Sequence, residues 1–319
     1  MAISLIKYKD REEWLALRRQ LGIGGSEAAT VAGLNPFSSP LTLYMQKTGA
    51  IPETESSEAT WLGTILEEHI AKRFEEKTGK KVRRNNAIIV NDQYPFAFAD
   101  VDREIVGEDA LLECKSTSPY NKKKYDEEDF ENANYFCQCM HYLMVTGKKR
   151  CYLAVLVLGV SFNIYTVERD EDEISALASL ERSYYENHLK AGVPPLPDGS
   201  ENDADTIGQL MDQVETEEET IDLSDHKVML STYRDILDSI KQLEKEKEKI
   251  HQRLMMALGE NVLGECEGFR VSYKPQVRKS FDYKAFHKAY PRVNLDPYFK
   301  ESRFRVLKIT QDKLQESDG

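Results

Sequence analysis

Residues 110–117, ALLECKST, place a glutamate and a lysine inside an otherwise apolar run. Residues two apart on a β-strand share one face, so Glu113 and Lys115 are expected to point together, away from Leu112 and Cys114. Such charges suit a buried strand poorly unless they find ionic partners or a metal ion. The pattern predicts a polar site beside this strand or, as the plainer alternative, a Glu113–Lys115 ion pair on an edge strand.

Two aspartates precede this strand. Asp100 and Asp102 would share a face, and ten residues separate Asp102 from Glu113. That spacing could place two carboxylates and one ammonium at adjacent strand ends. Two carboxylates suit Mg²⁺, which keeps several of its waters, and a nearby lysine can orient a water that attacks phosphorus. Metal-dependent phosphoryl chemistry is therefore one hypothesis, and ordinary surface alternation of charge is the other.

The periodicity of apolar residues predicts a mixed α/β fold with a central sheet flanked by helices. Ser26 follows a Gly-rich turn and is the predicted N-cap of a short helix. Trp14 and Trp61 fall at apolar helix positions that predict core packing. Further helices are predicted at about 10–20, 40–48, 61–79, 129–146 and 170–190, and strands at 86–91, 94–106, 110–117, 150–158 and 161–168.

Charge is distributed unevenly and suggests the domain boundaries. The net charge is −12, but residues 198–225 hold eleven acidic and no basic residues, whereas residues 270–319 hold twelve basic and six acidic ones. Association with DNA depends on local potential, so the net charge does not exclude it. We predict a domain at 1–197, an acidic linker at 198–225, and a helical extension with a hairpin and a basic tail at 226–319.

The extension begins with a long charged helix, predicted over 221–258. Glu244 and Lys247 interrupt its apolar seam, which disfavours a strict coiled coil and leaves a bent helix or a helical pair as alternatives. A hairpin at 261–274 precedes the tail. In the tail, aromatic residues alternate with lysines and arginines, which fits either base stacking or a small packed module with a basic surface: Tyr290, Tyr298, Phe299 and Phe304.

Several protein classes are disfavoured. The five cysteines are odd in number and contain no CxxC motif, which argues against a disulfide framework or a zinc finger. There is no apolar run of about 18 residues, as a membrane span requires. The apolar run near the N-terminus is too short for a signal peptide. The sequence predicts a cytoplasmic protein with no membrane partner.

Four short motifs together resemble the YqaJ-type viral recombinase family, relatives of lambda exonuclease within the PD-(D/E)xK nuclease superfamily. They occur in the order and at the spacing typical of that family, and the resemblance covers about the first 190 residues. The motifs are RQLGIGGS (19–26), GTILE (63–67), VDR (101–103) followed by LECK (112–115), and QCMHY (138–142).

The resemblance implies a restriction-endonuclease-like PD-(D/E)xK core and assigns catalytic roles within it. Asp102 and Glu113, with the backbone carbonyl of Cys114, would hold Mg²⁺, or Mn²⁺ in its place. Lys115 would position the attacking water. Asp100 is the alternative metal aspartate, because ADVDR replaces the more usual form of the motif.

The resemblance also assigns roles to residues outside the strand. Glu67 would contact a metal or a water from its helix, and Gln138 would hold the metal-bound water or the scissile phosphate. Arg19 and Ser26 would bind the 5′-terminal phosphate of the digested strand, with Arg18 as the neighbouring alternative. From the residues alone, a solvated helix face explains Glu67 equally well, and a plain N-cap explains Ser26.

The implied function is a Mg²⁺-dependent 5′-to-3′ exonuclease acting on double-stranded DNA ends. It would leave 3′ single-stranded tails for phage-type recombination by single-strand annealing. The implied setting is a bacterial host cytoplasm with a phage or prophage gene, a single-strand annealing protein as partner, and a homo-oligomer of ring form. The alternatives are an endonuclease on the same metal core, restriction-like or structure-specific, and a non-catalytic DNA-binding scaffold.

Overall fold

The computed structural model describes residues 2–52, 57–125, 132–212, 214, 219–300 and 307–310. The chain divides into two compact units, residues 1–215 and 216–319. Some predictions fall outside the described residues: the first turn of the helix predicted from 129, part of the acidic linker (213 and 215–218), and the tail residues 301–306, with Phe304, and 311–319.

The first unit contains nine strands and seven α-helices among its described residues. In chain order they are β1 (Ile3–Lys7), α1 (Arg11–Gln20), β2 (Ile23–Gly24), α2 (Gly25–Val31), α3 (Pro40–Thr48), α4 (Glu58–Thr78), β3 (Val82–Arg84), β4 (Ala87–Asn91), β5 (Ala97–Ala99), β6 (Arg103–Ile105), β7 (Ala110–Thr117), α5 (Ala133–Thr146), β8 (Arg150–Val157), β9 (Ser161–Glu168), α6 (Glu171–Tyr184) and α7 (Glu201–Asp212).

The larger sheet has five strands in the order β3-β6-β7-β8-β9, with β7 in the centre. β7 and β8 run parallel, and the other neighbouring strands run antiparallel. A parallel pair needs a crossover connection, which α5 supplies. Because β7 is central, the edge-strand alternative for Glu113 and Lys115 is wrong.

Helices cover both faces of this sheet, so alternate residues of β7 face different helices. Leu112 belongs to the core cluster that includes Ile70 and Phe74 of α4. Leu111 belongs to the cluster that includes Leu143 of α5. Glu113 and Lys115 therefore lie on the α5 face, since residues two apart share a face. The predicted mixed α/β fold with flanking helices is confirmed.

The strand predicted over 94–106 is two strands that belong to different sheets. β5 lies in a four-stranded sheet with the order β1-β4-β5-β2, and β6 lies in the five-stranded sheet. Residues 100–102 connect the two sheets and carry both aspartates of interest. The prediction of one strand was wrong because the chain leaves one hydrogen-bonding ladder and joins another within three residues.

The Gly-rich turn before α2 permits close packing between elements. A Cβ at Gly22, whose φ is 98°, would lie 2.2 Å from the carbonyl oxygen of Phe96, and a Cβ at Gly25 would lie 2.3 Å from the Tyr142 ring on α5. Any side chain at either position would displace its neighbour. Gly25 thus lets α2 approach α5, and Gly22 lets the turn approach the Phe96 backbone.

The sequence predicted Ser26 as the N-cap of α2, and this prediction is wrong. Gly24 occupies that position, and its N–H donates to Glu27 Oε2 at 2.8 Å. Glu27, at position N3 of the helix, thus satisfies the backbone N–H of the N-cap residue itself, as the glutamate of a capping box does. The Ser26 side chain, in the first turn of α2, is left to bind other groups.

The first unit extends past the boundary predicted at 197. Helix α7 lies within the predicted acidic linker and packs against α3. Asp203 is buried and bonds the Ser39 hydroxyl, and Thr206 Oγ1 lies 2.7 Å from Thr42 Oγ1. Acidic composition therefore does not make this stretch a linker, because its few inward polar side chains find partners on α3.

The second unit is dominated by one continuous helix, α8 (Lys227–Leu258), so the alternative of a helical pair is wrong over this range. A hairpin follows, β10 (Leu263–Cys266) and β11 (Phe269–Ser272), and then the short helix α9 (Tyr283–Ala289). In the parts of the chain that the structure describes, no helix combines the length and apolarity needed to cross a membrane.

Candidate active site

The centre of β7 presents an ion pair to the α5 side of the sheet. Lys115 Nζ lies 2.7 Å from Glu113 Oε1. The same oxygen accepts a hydrogen bond from Gln138 Nε2 of α5, also at 2.7 Å. Glu113 is buried, with 3% of its surface exposed, and Gln138 is buried as well. Three residues singled out from the sequence thus meet in one cluster.

Asp102 joins this cluster through the backbone of β7. Its Oδ2 accepts a hydrogen bond from the Cys114 N–H at 2.7 Å. β6 pairs with β7 as far as Leu112, so Asp102 takes the place of a strand partner beyond that point. The N–H and C=O of one strand residue point to the same edge, so the Cys114 carbonyl also points towards Asp102.

Burial and charge repulsion shift the protonation of this cluster. Burial and the neighbouring Glu113 and Glu67 raise the pKa of Asp102 well above its usual range. Burial raises the pKa of Glu113 as well, although Lys115 opposes the shift. Burial alone would lower the pKa of Lys115, but Glu113 and Asp102 outweigh it, so the pKa of Lys115 is raised and the side chain stays charged.

The donor set fits a divalent cation. Glu113 Oε2 is buried and has no hydrogen-bond partner among the described residues. Leaving a buried carboxylate oxygen unpaired is costly, and a cation would compensate it. Within the described ranges no three His, Cys, Asp or Glu side chains form a complete metal cage. Two carboxylates and one carbonyl, completed by waters, are nevertheless the ligands that Mg²⁺ accepts.

Glu67 approaches the cluster from α4, on the other face of the sheet. It forms a salt bridge with Arg103, whose guanidinium also donates to Glu68 Oε2 and to the Asp102 carbonyl, each at 2.7 Å. Glu67 therefore pairs with an arginine, but it is close enough to raise the pKa of both Asp102 and Glu113. The sequence reasoning gave Arg103 no role, although a cation directly after Asp102 on a strand facing α4 was a usable signal.

Two further α5 residues form buried hydrogen bonds, one with Gln138 and one with neighbouring elements. The Tyr142 hydroxyl accepts a hydrogen bond from Gln138 Nε2 at 2.9 Å. His141 is fully buried, with Nε2 2.8 Å from the Phe98 carbonyl and Nδ1 2.7 Å from Glu181 Oε1. His141 thus fixes α5 against β5 and α6 and is structural, while Tyr142, which the QCMHY motif includes without an assigned role, orients Gln138.

A second polar group surrounds a cavity of about 370 Å³ between α1, α2 and α3. Arg18 Nη2 lies 3.2 Å from Ser26 Oγ and 3.1 Å from Glu27 Oε1. Lys47 Nζ binds the other Glu27 oxygen at 2.8 Å. Arg19 lines the same cavity, but the cation bonded to Ser26 is Arg18, the alternative to the Arg19 of the motif.

Asp100 belongs to this second group rather than to the cluster on β7. Its Oδ2 accepts a hydrogen bond from Trp14 Nε1 at 2.6 Å, and Arg18 lies 4.6 Å above the Trp14 ring. Trp14 lines the cavity, so the two polar groups are linked through the segment from Asp100 to Asp102. The core packing predicted for Trp61 is wrong, since that side chain is exposed.

A larger cavity, of about 650 Å³, is lined by Tyr135, Asn121, Lys123 and Lys124 among others. Lys115 Nζ lies 5.2 Å from the centre of the Tyr135 ring, so this cavity adjoins the cluster on β7. Phe37 is highly exposed and lines both cavities. Other basic side chains are paired with carboxylates: Lys80 with Glu108, Arg83 with Glu104, and Arg150 with Glu168.

Comparison with known proteins assigns this chain to a family. The model of the YqaJ-like viral recombinase domain matches residues 13–149. The uncharacterized protein YqaJ of Bacillus subtilis (strain 168) is 35% identical over 305 residues, which cover 94% of each chain. The chain belongs to the YqaJ-like viral recombinase family.

Two solved structures are similar to this chain. The crystal structure of LHK-Exo in complex with dAMP has a TM-score of 0.50 and 21% identity, and it covers 57% of this chain and 94% of that one. A second structure of that alkaline exonuclease, from Laribacter hongkongensis, has a TM-score of 0.44 and 23% identity, and covers 57% and 98%. The first similarity shows the fold. The family assignment, which rests on the sequence matches, connects the chain with viral recombinases.

Proposed function

We propose that this protein is a Mg²⁺-dependent 5′-to-3′ exonuclease that acts on double-stranded DNA ends and leaves 3′ single-stranded tails for recombination. The observation that carries the proposal is the cluster of Asp102, Glu113, Lys115 and Gln138, with a buried Glu113 oxygen that no described group binds. The family assignment supports a role in recombination.

Asp102, Glu113 and the Cys114 carbonyl would hold the metal, with Mn²⁺ as a substitute for Mg²⁺. When bound, the metal stabilises negative charge on the phosphate and lowers the pKa of a coordinated water. Of the two aspartates, Asp102 is the ligand we propose, because it contacts the β7 backbone whereas Asp100 bonds Trp14. Glu67 acts from α4 through its charge and its pairing with Arg103.

Lys115 would donate a hydrogen bond to the attacking water and hold it in line with the scissile bond. The water oxygen bonds to phosphorus while the bond from phosphorus to the 3′ oxygen of the terminal nucleotide breaks. Gln138 keeps Glu113 oriented through the bond to Oε1, and its own amide is fixed by Tyr142. The products are a 5′-mononucleotide and a strand with a new 5′-phosphate.

The cavity lined by Arg18, Arg19 and Ser26 is the proposed site for that 5′-phosphate. A guanidinium and a hydroxyl that already point at each other suit a phosphate oxygen. Arg18 would be the main contact, and Arg19 would contribute from the same cavity. Asp100 and Trp14 link this cavity to Asp102, which supports one continuous path for the digested strand.

The family assignment supports the setting that we propose. The enzyme would work in the cytoplasm of a bacterial host, encoded by a phage or prophage, with a single-strand annealing protein that receives the 3′ strand. A homo-oligomer that encloses the duplex as a ring would make digestion processive.

The decisive experiment compares four samples with Mg²⁺: linear duplexes with 5′-phosphate or 5′-hydroxyl ends, a covalently closed circle, and the phosphorylated duplex with Lys115→Ala. The proposal predicts rapid loss of the 5′-phosphorylated strand, an intact circle and an inactive variant. Cutting of the circle would indicate an endonuclease on the same core. DNA binding without any cleavage would indicate a non-catalytic scaffold.

A further inference from the structure

Residues 274–300 of the second unit form a strongly basic segment in an acidic protein. They hold seven lysines and arginines against two aspartates, in a chain whose net charge is −12. Asp282 is occupied as the N-cap of α9, where it accepts the Ala285 N–H at 2.9 Å. Across the described ranges, the ion pairs found include none of these seven cations. Their charge is therefore available to an anionic ligand.

The same segment exposes several aromatic rings. Tyr298, Phe281 and Phe299 are 85%, 69% and 62% exposed. Phe286 is half-buried and packs between two other rings. Its centroid lies 5.1 Å from that of Phe281 and 5.0 Å from that of Tyr290. Single exposed apolar residues are ordinary, but a contiguous group of rings marks a binding surface.

The rings surround an apolar cavity of about 510 Å³, lined by Phe281, Tyr283, Leu295, Tyr298 and Phe299. Tyr283 and Phe299 meet edge to face, with centroids 6.2 Å apart. Aromatic faces are thus presented around a recess, with Lys284, Lys288 and Lys300 close by in the chain.

We propose that residues 274–300, the tail module, bind single-stranded DNA by stacking bases on these rings and pairing phosphates with these cations. Cations alone would suit any polyanion, and rings alone any apolar partner. Both within 27 residues suit a strand whose base faces are uncovered, whereas a duplex hides them. This site lies outside the nuclease cluster. That its strand is the 3′-ended product of digestion rests on the proposed function.

The test measures binding of the full chain to fluorescein-labelled dT20 by anisotropy in EDTA, where no cleavage takes place. Tyr298→Ala/Phe299→Ala should weaken binding by about tenfold per ring, as loss of base stacking does. Phe269→Ala is the matched control, since this exposed phenylalanine lies on β11, outside the module. It should bind like the wild type.

A second series separates phosphate contacts from stacking. Lys284→Gln/Lys288→Gln should lower the slope of log K against log[salt] by about 1.4, because each phosphate contact on a single strand contributes about 0.7. The ring variant should keep the wild-type slope. Tyr298→Leu retains apolar bulk and should still lose most of the stacking, and circular dichroism confirms that each variant is folded.

Two outcomes would overturn the proposal. One is wild-type affinity for dT20 in the ring variant, which would indicate that the rings bind a protein partner instead of bases. The other is an equal loss of affinity for duplex and single strand in the ring variant, which would remove the need for exposed bases. The ring series is repeated in Lys115→Ala, so that absence of cleavage and absence of strand binding are scored separately.

Discussion

Gly25→Ala tests whether the close approach of α2 to α5 supports the proposed catalytic cluster on β7. The added methyl would lie 2.3 Å from the Tyr142 ring, so ring or helix must move by about 1 Å to restore ordinary contact. Overpacking a core costs about 1–3 kcal/mol, and the preference of helices for alanine returns at most about 1 kcal/mol. We expect a net loss of about 1–2 kcal/mol in the free energy of unfolding.

The same shift should reach the chemistry. The Tyr142 hydroxyl binds the Gln138 amide, which binds Glu113. A displacement of about 1 Å near reacting groups can cost about a hundredfold in rate, so cleavage of a linear duplex should fall by ten- to a hundredfold. Displacement of Tyr142 would thus couple a glycine of the N-terminal motif to a carboxylate on β7.

Gly63→Ala is the matched control, because a Cβ there would lie 3.8 Å from Ser116 Oγ, an ordinary contact. It lies inside α4 and should stabilise the protein by up to about 1 kcal/mol. Urea unfolding followed by tryptophan fluorescence reports on the first unit alone, since Trp14 and Trp61 both belong to it.

A double-mutant cycle identifies the cause. In a Tyr142→Leu background the ring is absent, so Gly25→Ala should cost at least about 1 kcal/mol less than in the wild type. The reasoning would be refuted if Gly25→Ala cost the same in both backgrounds, or if it destabilised the protein no more than Gly63→Ala does.

Three further predictions concern the polar groups. Mg²⁺ at ten times its dissociation constant should add about 1.4 kcal/mol to the free energy of unfolding, which calorimetry would show as a rise in Tm. Asp102→Asn should abolish this rise, and Asp100→Asn should retain it. Loss of the rise in both variants would contradict the choice of Asp102 as the ligand. Burial and Glu113 raise the pKa of Asp102, so the metal-free protein should lose stability as the pH rises from about 4 through that raised pKa. In thermal unfolding between pH 4 and 8, the Tm of Asp102→Asn should therefore vary less with pH than that of the wild type. Arg18→Ala should reduce the preference for 5′-phosphate over 5′-hydroxyl ends by tenfold or more, and Arg19→Ala by less; the opposite order in a cleavage assay would favour Arg19.

Local patterns were sufficient for the strand at the centre of the site. Alternation along residues 110–117 put Glu113 and Lys115 on one face, and their 2.7 Å ion pair bears this out. The same reasoning failed at residues 100–102, because the break there depends on a hydrogen bond from the Cys114 amide, twelve residues along the chain. Periodicity carries no information about which ladder a backbone amide joins.

Helix geometry held one signal that was not used. Arg18 lies four residues after Trp14 and therefore on the same face of α1, whereas Arg19 lies about 100° further round the helix than Arg18. Since Trp14 reaches Asp100, the face it shares with Arg18 is the one that looks towards the site. A motif spacing selected Arg19, but the position of the apolar face selects Arg18 as the contact of Ser26.

The balance of charge around β7 bears on whether this surface binds DNA alone or cleaves it. Arg103 is engaged by Glu67 and Glu68, and Lys115 faces both Glu113 and Asp102. Both of these cations are therefore paired with carboxylates, and the buried carboxylates would repel a phosphate placed beside them. A scaffold that only bound DNA would gain affinity by losing these acids. Their presence, with one Glu113 oxygen left without a donor among the described residues, favours a centre that recruits a cation before it meets a phosphate.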